Sequence, residues 1–488
     1  MNDSLHTKTL TELAAAISAR ELSPVELTEA LLARIEALNP ALNAFNLVTP
    51  ERAIAEAKAA ESLIMAGRYL GPLHGIPYAV KDIFDVAGLP TTAGSKLLAD
   101  NVACEDSWAT RRMAEHGMVA IGKSVTVEFA RGILGINNIQ GTPHNPWHPQ
   151  AHVPGGSSAG TGVAVAAGLV PMGLGSDTGG SVRAPAGLCG TVGLKTTVGR
   201  ISRYGVFPIS EYLDSVGPLA RSVEDCALVY QALLGVDPRD PSTVNVPLHD
   251  VLEGLKGGVA GLRIGVPERF FLDDLDGDTG RAMDEARAVF ESLGAHVTAI
   301  DIPEAAPAAR LGAILSAAEA CVVHKDRLDD QSIAQMDPVV GLRMRGDRDM
   351  KAVDYITARR EARALRRSLA QTLRDIDVVL MPTTPRAAIP VADVATDIDR
   401  YNQHSGEFSR NTRVGNVLDL CGVSLPAGFN AKGLPIGLLL SAKPFDEAAV
   451  LRAGHAFETA TDWHRRVPDL QWAIDEGGES RGASRTVR

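Results

Sequence analysis

Residues 154–160, PGGSSAG, and 176–185, SDTGGSVRAP, set serines into turns of unusually glycine-rich chain. Glycine lets main-chain N–H groups approach a substrate closely, so the stretch 154–218 reads as a preorganised oxyanion site with a nucleophile inside it. Gly179 and Gly180 precede Ser181, leaving their amides, with those of Thr178 and Ser181, free to converge on one negative oxygen. A serine alcohol is a poor nucleophile until a base takes its proton. No histidine lies within the segment, and His152 stands just outside it. Upstream, in HGIPYAVKDIF (74–84), Lys81 follows the apolar run 76–80. Burial disfavours the ammonium form, so a lysine there can lose its proton near neutral pH and act as a base.

Further blocks accompany these turns: GIPYAVKDIFDVAG (75–88), GTPHNPW (141–147), the glycine-rich run 154–205, LDSVGPLARS (213–222), SLPAG (424–428) and GLPIGLLLSA (433–442). Long and ordered, the set resembles the amidase signature family of serine hydrolases over roughly residues 8–470. The resemblance implies a catalytic unit of a serine, a second serine beside a cis peptide bond, and a lysine. By position, Ser181 is the acyl nucleophile, Ser157 the bridging serine 24 residues earlier, and Lys81 the terminal base. It implies acyl transfer in two halves. Lys81 draws a proton through Ser157, Ser181 attacks the amide carbon, and the amides of Thr178, Gly179, Gly180 and Ser181 hold the oxyanion; water then hydrolyses the acyl enzyme. Ser158, Asp177 and Arg183 sit beside these groups and are expected to hold the turns in shape. No cofactor or metal is expected, since neither HExxH nor paired CxxC occurs.

Competing readings of the same residues are weaker. Residues 156–160 fit the nucleophile-elbow pattern GxSxG, which would make Ser158 the nucleophile with a late histidine such as His455 as base. An elbow needs a strand before it, and AHVPGG supplies a proline and two glycines. Residues 117–124, GMVAIGKS, match the phosphate-loop pattern, but Met118, Val119, Ala120 and Ile121 read as a buried strand. Asp274, Asp276, Asp278 and Glu285 mimic a calcium loop, yet Thr279 stands where the turn needs glycine; the duller reading has Asp278 capping a helix through Ala286 and Phe290.

Thr9 with Glu12, and Ser23 with Glu26 after Pro24, form capping boxes that open two N-terminal helices. Strand-like runs at 118–123, 261–267, 295–302, 377–383 and 433–440 alternate with helices such as 355–373. The expected fold is α/β: one large domain over residues 1–474, with a mixed central sheet covered by helices on both faces. Within it are expected a helical region at about 8–65, a catalytic core at about 66–225 and a variable substrate-pocket region at about 300–413, followed by a disordered tail at 475–488.

A 45% hydrophobic content suffices for a large core, and no apolar run of about twenty residues stands out as a membrane span. The polar start MNDSLHTKTL and five scattered cysteines without a disulfide framework point to the cytoplasm. A net charge of −11 argues against nucleic acid and anionic membrane as partners. The partner expected is a small amide alone, with a homodimer as an admissible assembly. Residues 304–413 and the loop 134–142 are expected to build the pocket. Ala184, three residues after Ser181, is small and uncharged, where the glutamine associated with tRNA-dependent amidotransferase subunits would stand. The main expectation is therefore a hydrolase of a neutral amide, anilide or carbamate. The alternative is the A subunit of an amidotransferase, supplying ammonia for tRNA-dependent amidation. A third reading is a non-catalytic scaffold on the same fold.

Overall fold

Strands that are apolar on both faces need cover on both faces, and most strands here are of that kind. The computed structural model describes residues 5–243, 248–395 and 397–474. Among them are eleven strands: β1 (Phe45–Val48), β2 (Pro77–Lys81), β3 (Val119–Ser124), β4 (Met172–Asp177), β5 (Val192–Lys195), β6 (Ser215–Ala220), β7 (Arg263–Pro267), β8 (His296–Ile300), β9 (Val378–Pro382), β10 (Cys421–Phe429) and β11 (Pro435–Ala442). They form one sheet in the order β1-β3-β2-β4-β6-β5-β10-β11-β9-β7-β8. The pairs β2–β3, β2–β4, β7–β8 and β7–β9 are parallel and the others antiparallel, so the sheet is mixed. Every residue of β2 to β6, β9 and β11 is buried, whereas β8, on the far edge, has none. The chain is a single α/β domain, and the five strand-like runs of the sequence became β3, β7, β8, β9 and β11.

Local chemistry fixes the helix starts. Thr9 Oγ1 accepts from Glu12 N at 3.1 Å while Thr9 N donates to Glu12 Oε2 at 2.8 Å, opening the helix Leu10–Ser18; Ser23 and Glu26 do the same for Pro24–Leu42. That second helix ends at Asn43, whose left-handed φ of 49° turns the chain into β1. The span 8–65 is therefore not purely helical, because β1 pairs with β3 across Phe45 and Ser124. The cap of the helix Gly277–Ser292 also differs from expectation: Asp276, not Asp278, accepts from Thr279 N, at 2.7 Å. Only a residue just outside the helix can aim its oxygen at that amide, and Asp278, already inside, pairs with Arg281.

The phosphate-loop pattern is a strand. Lys123 Nζ lies 2.9 Å from Asp82 Oδ1, both side chains about 1% exposed, and Ser124 Oγ bonds Thr161 Oγ1 at 2.7 Å. A Cβ at Gly122 would sit 2.3 Å from the Leu47 carbonyl oxygen, so this glycine serves close strand packing. The helix Ala305–Val323 corrects the expectation about apolar runs: it is 19 residues long and holds an 18-residue stretch of mean hydropathy 1.4, a third of it buried, so it is long and apolar enough to cross a membrane. Ala305, Ala308, Leu311 and Leu315 nonetheless pack into a core with Val414 and Val417. The tail expected at 475–488 lies outside the described residues.

Removing one partner of a buried ion pair leaves the other charge uncompensated, at a cost of about 3–5 kcal/mol. Lys123→Met should lower stability by that amount, read as a reduced urea midpoint. A loss below about 1 kcal/mol would show that the Lys123–Asp82 pair does not hold β2 to β3.

Candidate active site

The parallel pairing of β2 with β4, with Val80 opposite Leu174, brings Lys81 at the end of β2 within side-chain reach of Ser176. Lys81 is fully buried. Its Nζ donates to Ser157 Oγ at 2.7 Å and to Ser176 Oγ at 2.8 Å, and no carboxylate among the described residues pairs with it directly. Burial lowers its pKa to about 7, against the opposing pull of Asp177 and Asp214. A group so placed exchanges a proton near neutrality.

The Gly156–Ser157 peptide is cis. Its neighbours fix it on both sides: Ser157 O accepts from Thr126 Oγ1 at 3.0 Å and Val127 N at 3.2 Å, and Gly156 N donates to Ile133 O at 2.7 Å. Ser158 is buried with its hydroxyl turned to the Ser176 carbonyl oxygen at 3.4 Å. His455, on the helix Glu447–Thr461, has Glu224 and Lys256 as its charged neighbours, so no elbow pair with Ser158 forms.

Asp177 organises the turn that carries Ser181. Its Oδ1 accepts from Gly180 N at 2.8 Å, Arg183 Nη2 at 2.9 Å and Asn416 Nδ2 at 2.8 Å. Its Oδ2 accepts from Val182 N at 3.1 Å and Arg183 Nε at 3.0 Å. Burial alone would push this carboxyl up, but the Arg183 guanidinium outweighs it and holds the group well below the usual carboxylate range. The expected oxyanion set is corrected in one member, because the Gly180 amide is committed to Asp177. The amides of Thr178, Gly179 and Ser181 have no protein acceptor among the described residues. Gly180 itself has φ +127°, and a Cβ there would lie 2.2 Å from Thr412 Oγ1, so no other residue fits. Thr178 is held from the other side by Asp214, whose Oδ1 accepts from Thr178 Oγ1 at 2.6 Å.

Ser181 is 6% exposed, and that exposure opens on a small cavity. Its hydroxyl makes no hydrogen bond among the described residues, to Ser157 included. A second cavity of about 920 Å³ shares Thr178 and Ile209 with the first and runs out past Phe207, Glu319 and Tyr355. Residues from 304–413 line both cavities, and the loop 134–142 lines neither. Its Asn137 bonds the carbonyls of Gly94 and Thr126, drawing that loop down onto backbone, and Arg131, Gly132 and Ile133 line the small cavity in its place.

Sequence reasoning missed Ser176, Asp214, Thr412 and Asn416. Ser176 had a faint signal in its nearness to the nucleophile turn, but its contact with Lys81 depends on strand register. Thr412 and Asn416 lie on the helix Ile398–Val417, more than 230 residues from the turn they brace, and only the fold brings them there.

Comparison with known proteins places these features in context. A family model described as Amidase matches residues 26–451. The A subunit of the glutamyl-tRNA(Gln) amidotransferase of Geobacter sp. (strain M21) is 40% identical over 486 residues, covering 95% of this chain and 99% of its own. Among solved structures, a chain from a vestigial protein complex bearing on the origin of an s-triazine catabolic enzyme aligns with TM-score 0.86 at 33% identity, over 95% of this chain and 100% of that one. The peptide amidase of Stenotrophomonas maltophilia aligns with TM-score 0.83 at 30% identity, over 95% and 99%. The expectation of a small-molecule partner alone, with no nucleic acid, is overturned by the Geobacter relative, whose name carries both a tRNA and the rank of one subunit among others. Net charge averages over a whole surface and says nothing of contacts made through a partner chain.

With its pKa lowered to about 7, Lys81 should gate the reactivity of Ser181. Labelling by a fluorophosphonate should accelerate as pH rises through about 7 and then level off, and Lys81→Met should abolish that rise. Between that value and the 10.5 of an unperturbed lysine, the unfolded chain holds a proton that the folded one lacks, so this group adds stability as pH rises. An inflection near ~4 would indicate a carboxylate base instead.

Proposed function

The chain belongs to the amidase family, and from that membership we propose that it cleaves a carboxamide through an acyl enzyme on Ser181, releasing ammonia as the A subunit of an amidotransferase. The observation that carries the chemistry is the 2.7 Å contact between Lys81 Nζ and Ser157 Oγ inside a fully buried pocket. With the amine neutral, that contact reverses its donor: Ser157 gives its proton to Nζ and takes one from Ser181. The Ser181 oxygen attacks the amide carbon, and the free amides of Thr178, Gly179 and Ser181 receive the oxyanion. The proton returns through Ser157 to the leaving nitrogen, ammonia departs, and water repeats the cycle on the ester. Asp177 and Arg183 act by holding the turn, not by moving protons. The Ser157–Ser181 contact closes when substrate fills the cavity, as catalytic hydrogen bonds often do.

The amidotransferase reading is supported by identity of 40% that runs over nearly the full length of both chains. It brings protein partners and a tRNA substrate with it, and the cytoplasmic location expected from the cysteine pattern. A second reading, a free-standing amide hydrolase, is favoured by one specific feature: Ala184, fully buried beside Arg183, in place of the glutamine associated with the amidotransferase subunits.

Ser181→Ala should lose turnover by at least on the order of 10⁴-fold with the fold intact, and the Lys81/Ser157 double variant should cost little more than the worse single one, because the residues act as a unit. An acyl or fluorophosphonate adduct found on Ser158 would overturn the assignment. Ammonia release that is weak for the purified chain and rises with co-purifying subunits, ATP and glutamyl-tRNA is the result expected of an amidotransferase component. Full turnover by the chain alone would favour the second reading.

A further inference from the structure

Little within the turn 178–181 fixes its own conformation, because Gly179 and Gly180 separate Thr178 from Ser181 and a glycine pair admits backbone states denied to other residues. Contacts from outside the turn supply what the glycines lack. Asp177 Oδ1 accepts from Gly180 N at 2.8 Å, Thr412 Oγ1 donates to Gly179 O at 2.8 Å, and Thr178 Oγ1 donates to Asp214 Oδ1 at 2.6 Å. Of these, the last alone acts on Thr178, whose amide has no acceptor among the described residues.

Asp214 is itself held. Its Oδ2 accepts from Ile209 N at 2.8 Å and Ser210 N at 2.9 Å, which locks the carboxylate into the loop 209–214 and leaves Oδ1 for Thr178. The loop is anchored in turn to the helix Ala305–Val323, since Ser210 Oγ and Tyr212 N both donate to Glu319 Oε2, the amide at 3.1 Å. On the other side the Tyr212 ring centroid lies 4.1 Å from Arg359 Cζ and 4.3 Å from Arg366 Cζ, both on the helix Ala352–Thr372. Thr178 and Ile209 line both cavities, Asp214 the large one alone and Ser181 the small one alone. The carboxylate therefore takes the Thr178 hydroxyl on the side of this partition away from Ser181.

We propose that Asp214 is a positioning residue for acyl transfer, and that by holding the Thr178 hydroxyl it fixes the Thr178 N–H where the oxyanion forms. The inference rests on the reading of Ser181 as the nucleophile and adds a residue that takes no part in moving protons. A donor stabilises developing charge only if it is aimed there beforehand, without reorganising as the reaction proceeds. A displacement of ~1 Å by a change away from the reacting atoms can cost ~100-fold in rate. Through Asp214 the aim of one oxyanion donor is set by the loop 209–214, and so by the two helices that clamp that loop.

The test measures inactivation by a fluorophosphonate of the wild-type protein with whatever subunits co-purify. Ser181 Oγ bonds to phosphorus, the P–F bond breaks with loss of fluoride, the serine proton leaves through Ser157 to Lys81, and the phosphoryl oxygen takes the place of the oxyanion. Thr178→Val keeps the outline of the side chain and removes its hydroxyl. It should lower kinact by at least about tenfold while KI stays within about threefold. Thr178→Ser, with the hydroxyl restored, should recover most of that loss. Asp214→Ala should lose at least as much as Thr178→Val, and the double variant should be no slower than Asp214→Ala, because both changes break one contact. Losses that multiply in the double variant overturn the inference, as does a loss confined to KI. A lowered Tm with kinact unchanged overturns it too, since the contact would then serve the fold alone. If Asp214→Ala does not fold, Thr178→Val against Thr178→Ser decides the matter. Ser181 labelled equally fast in the wild type and Thr178→Val rejects this inference alone, whereas Ser181 unlabelled in the wild type rejects the nucleophile and this inference with it.

Discussion

A single buried carboxylate holds the centre of this molecule together. Asp177, at the end of β4, is fully enclosed, and on its own it would bear a desolvation cost of several kcal/mol. Arg183, six residues on, lies against both of its oxygens, and the remaining capacity is filled by the Gly180 and Val182 amides and the Asn416 side chain. The turn between strand and helix is thus wound around one charge pair. The amides of Thr178, Gly179 and Ser181, by contrast, have no acceptor among the described residues. The shape of this turn follows from the neutralisation of Asp177.

The same enclosure governs Lys81. β2 and β4 are buried along their whole lengths, and a lysine at their rim answers that burial by giving up its proton near neutrality. Lys123, on the neighbouring strand β3, is equally buried but meets Asp82 at 2.9 Å. One lysine has a carboxylate against it and the other has two serine hydroxyls. That difference separates an ion-paired lysine from one held by hydroxyls alone. Arg413 is a third case, a cation that lines the small cavity and has neither kind of partner among the described residues.

What the sequence by itself determined was the chemistry of contiguous stretches. The glycine pair before Ser181, the capping boxes at Thr9 and Ser23, and the apolar runs that became β3, β7, β8, β9 and β11 are properties of neighbours in the chain, and local sterics or hydrogen bonding suffice to specify them. The long ordered match of motifs then linked Lys81, Ser157 and Ser181; the fold puts Lys81 against Ser157 and Ser176, and the Ser181 carbonyl oxygen accepts from Ser158 N.

Only the tertiary structure decided what those residues face. Whether Gly180 gives its amide to an oxyanion or to Asp177 depends on the direction of a carboxylate, and the contact of Ser176 with Lys81 depends on the register of β2 against β4. The cap fell to Asp276 because the helix begins earlier than composition suggested. The arginines over Ser181 lie at 131, 343 and 413, on segments that no periodicity connects. A pocket is made of side chains far apart in sequence, and their convergence is set by strand order and helix packing, which a linear pattern of apolar and polar residues does not encode.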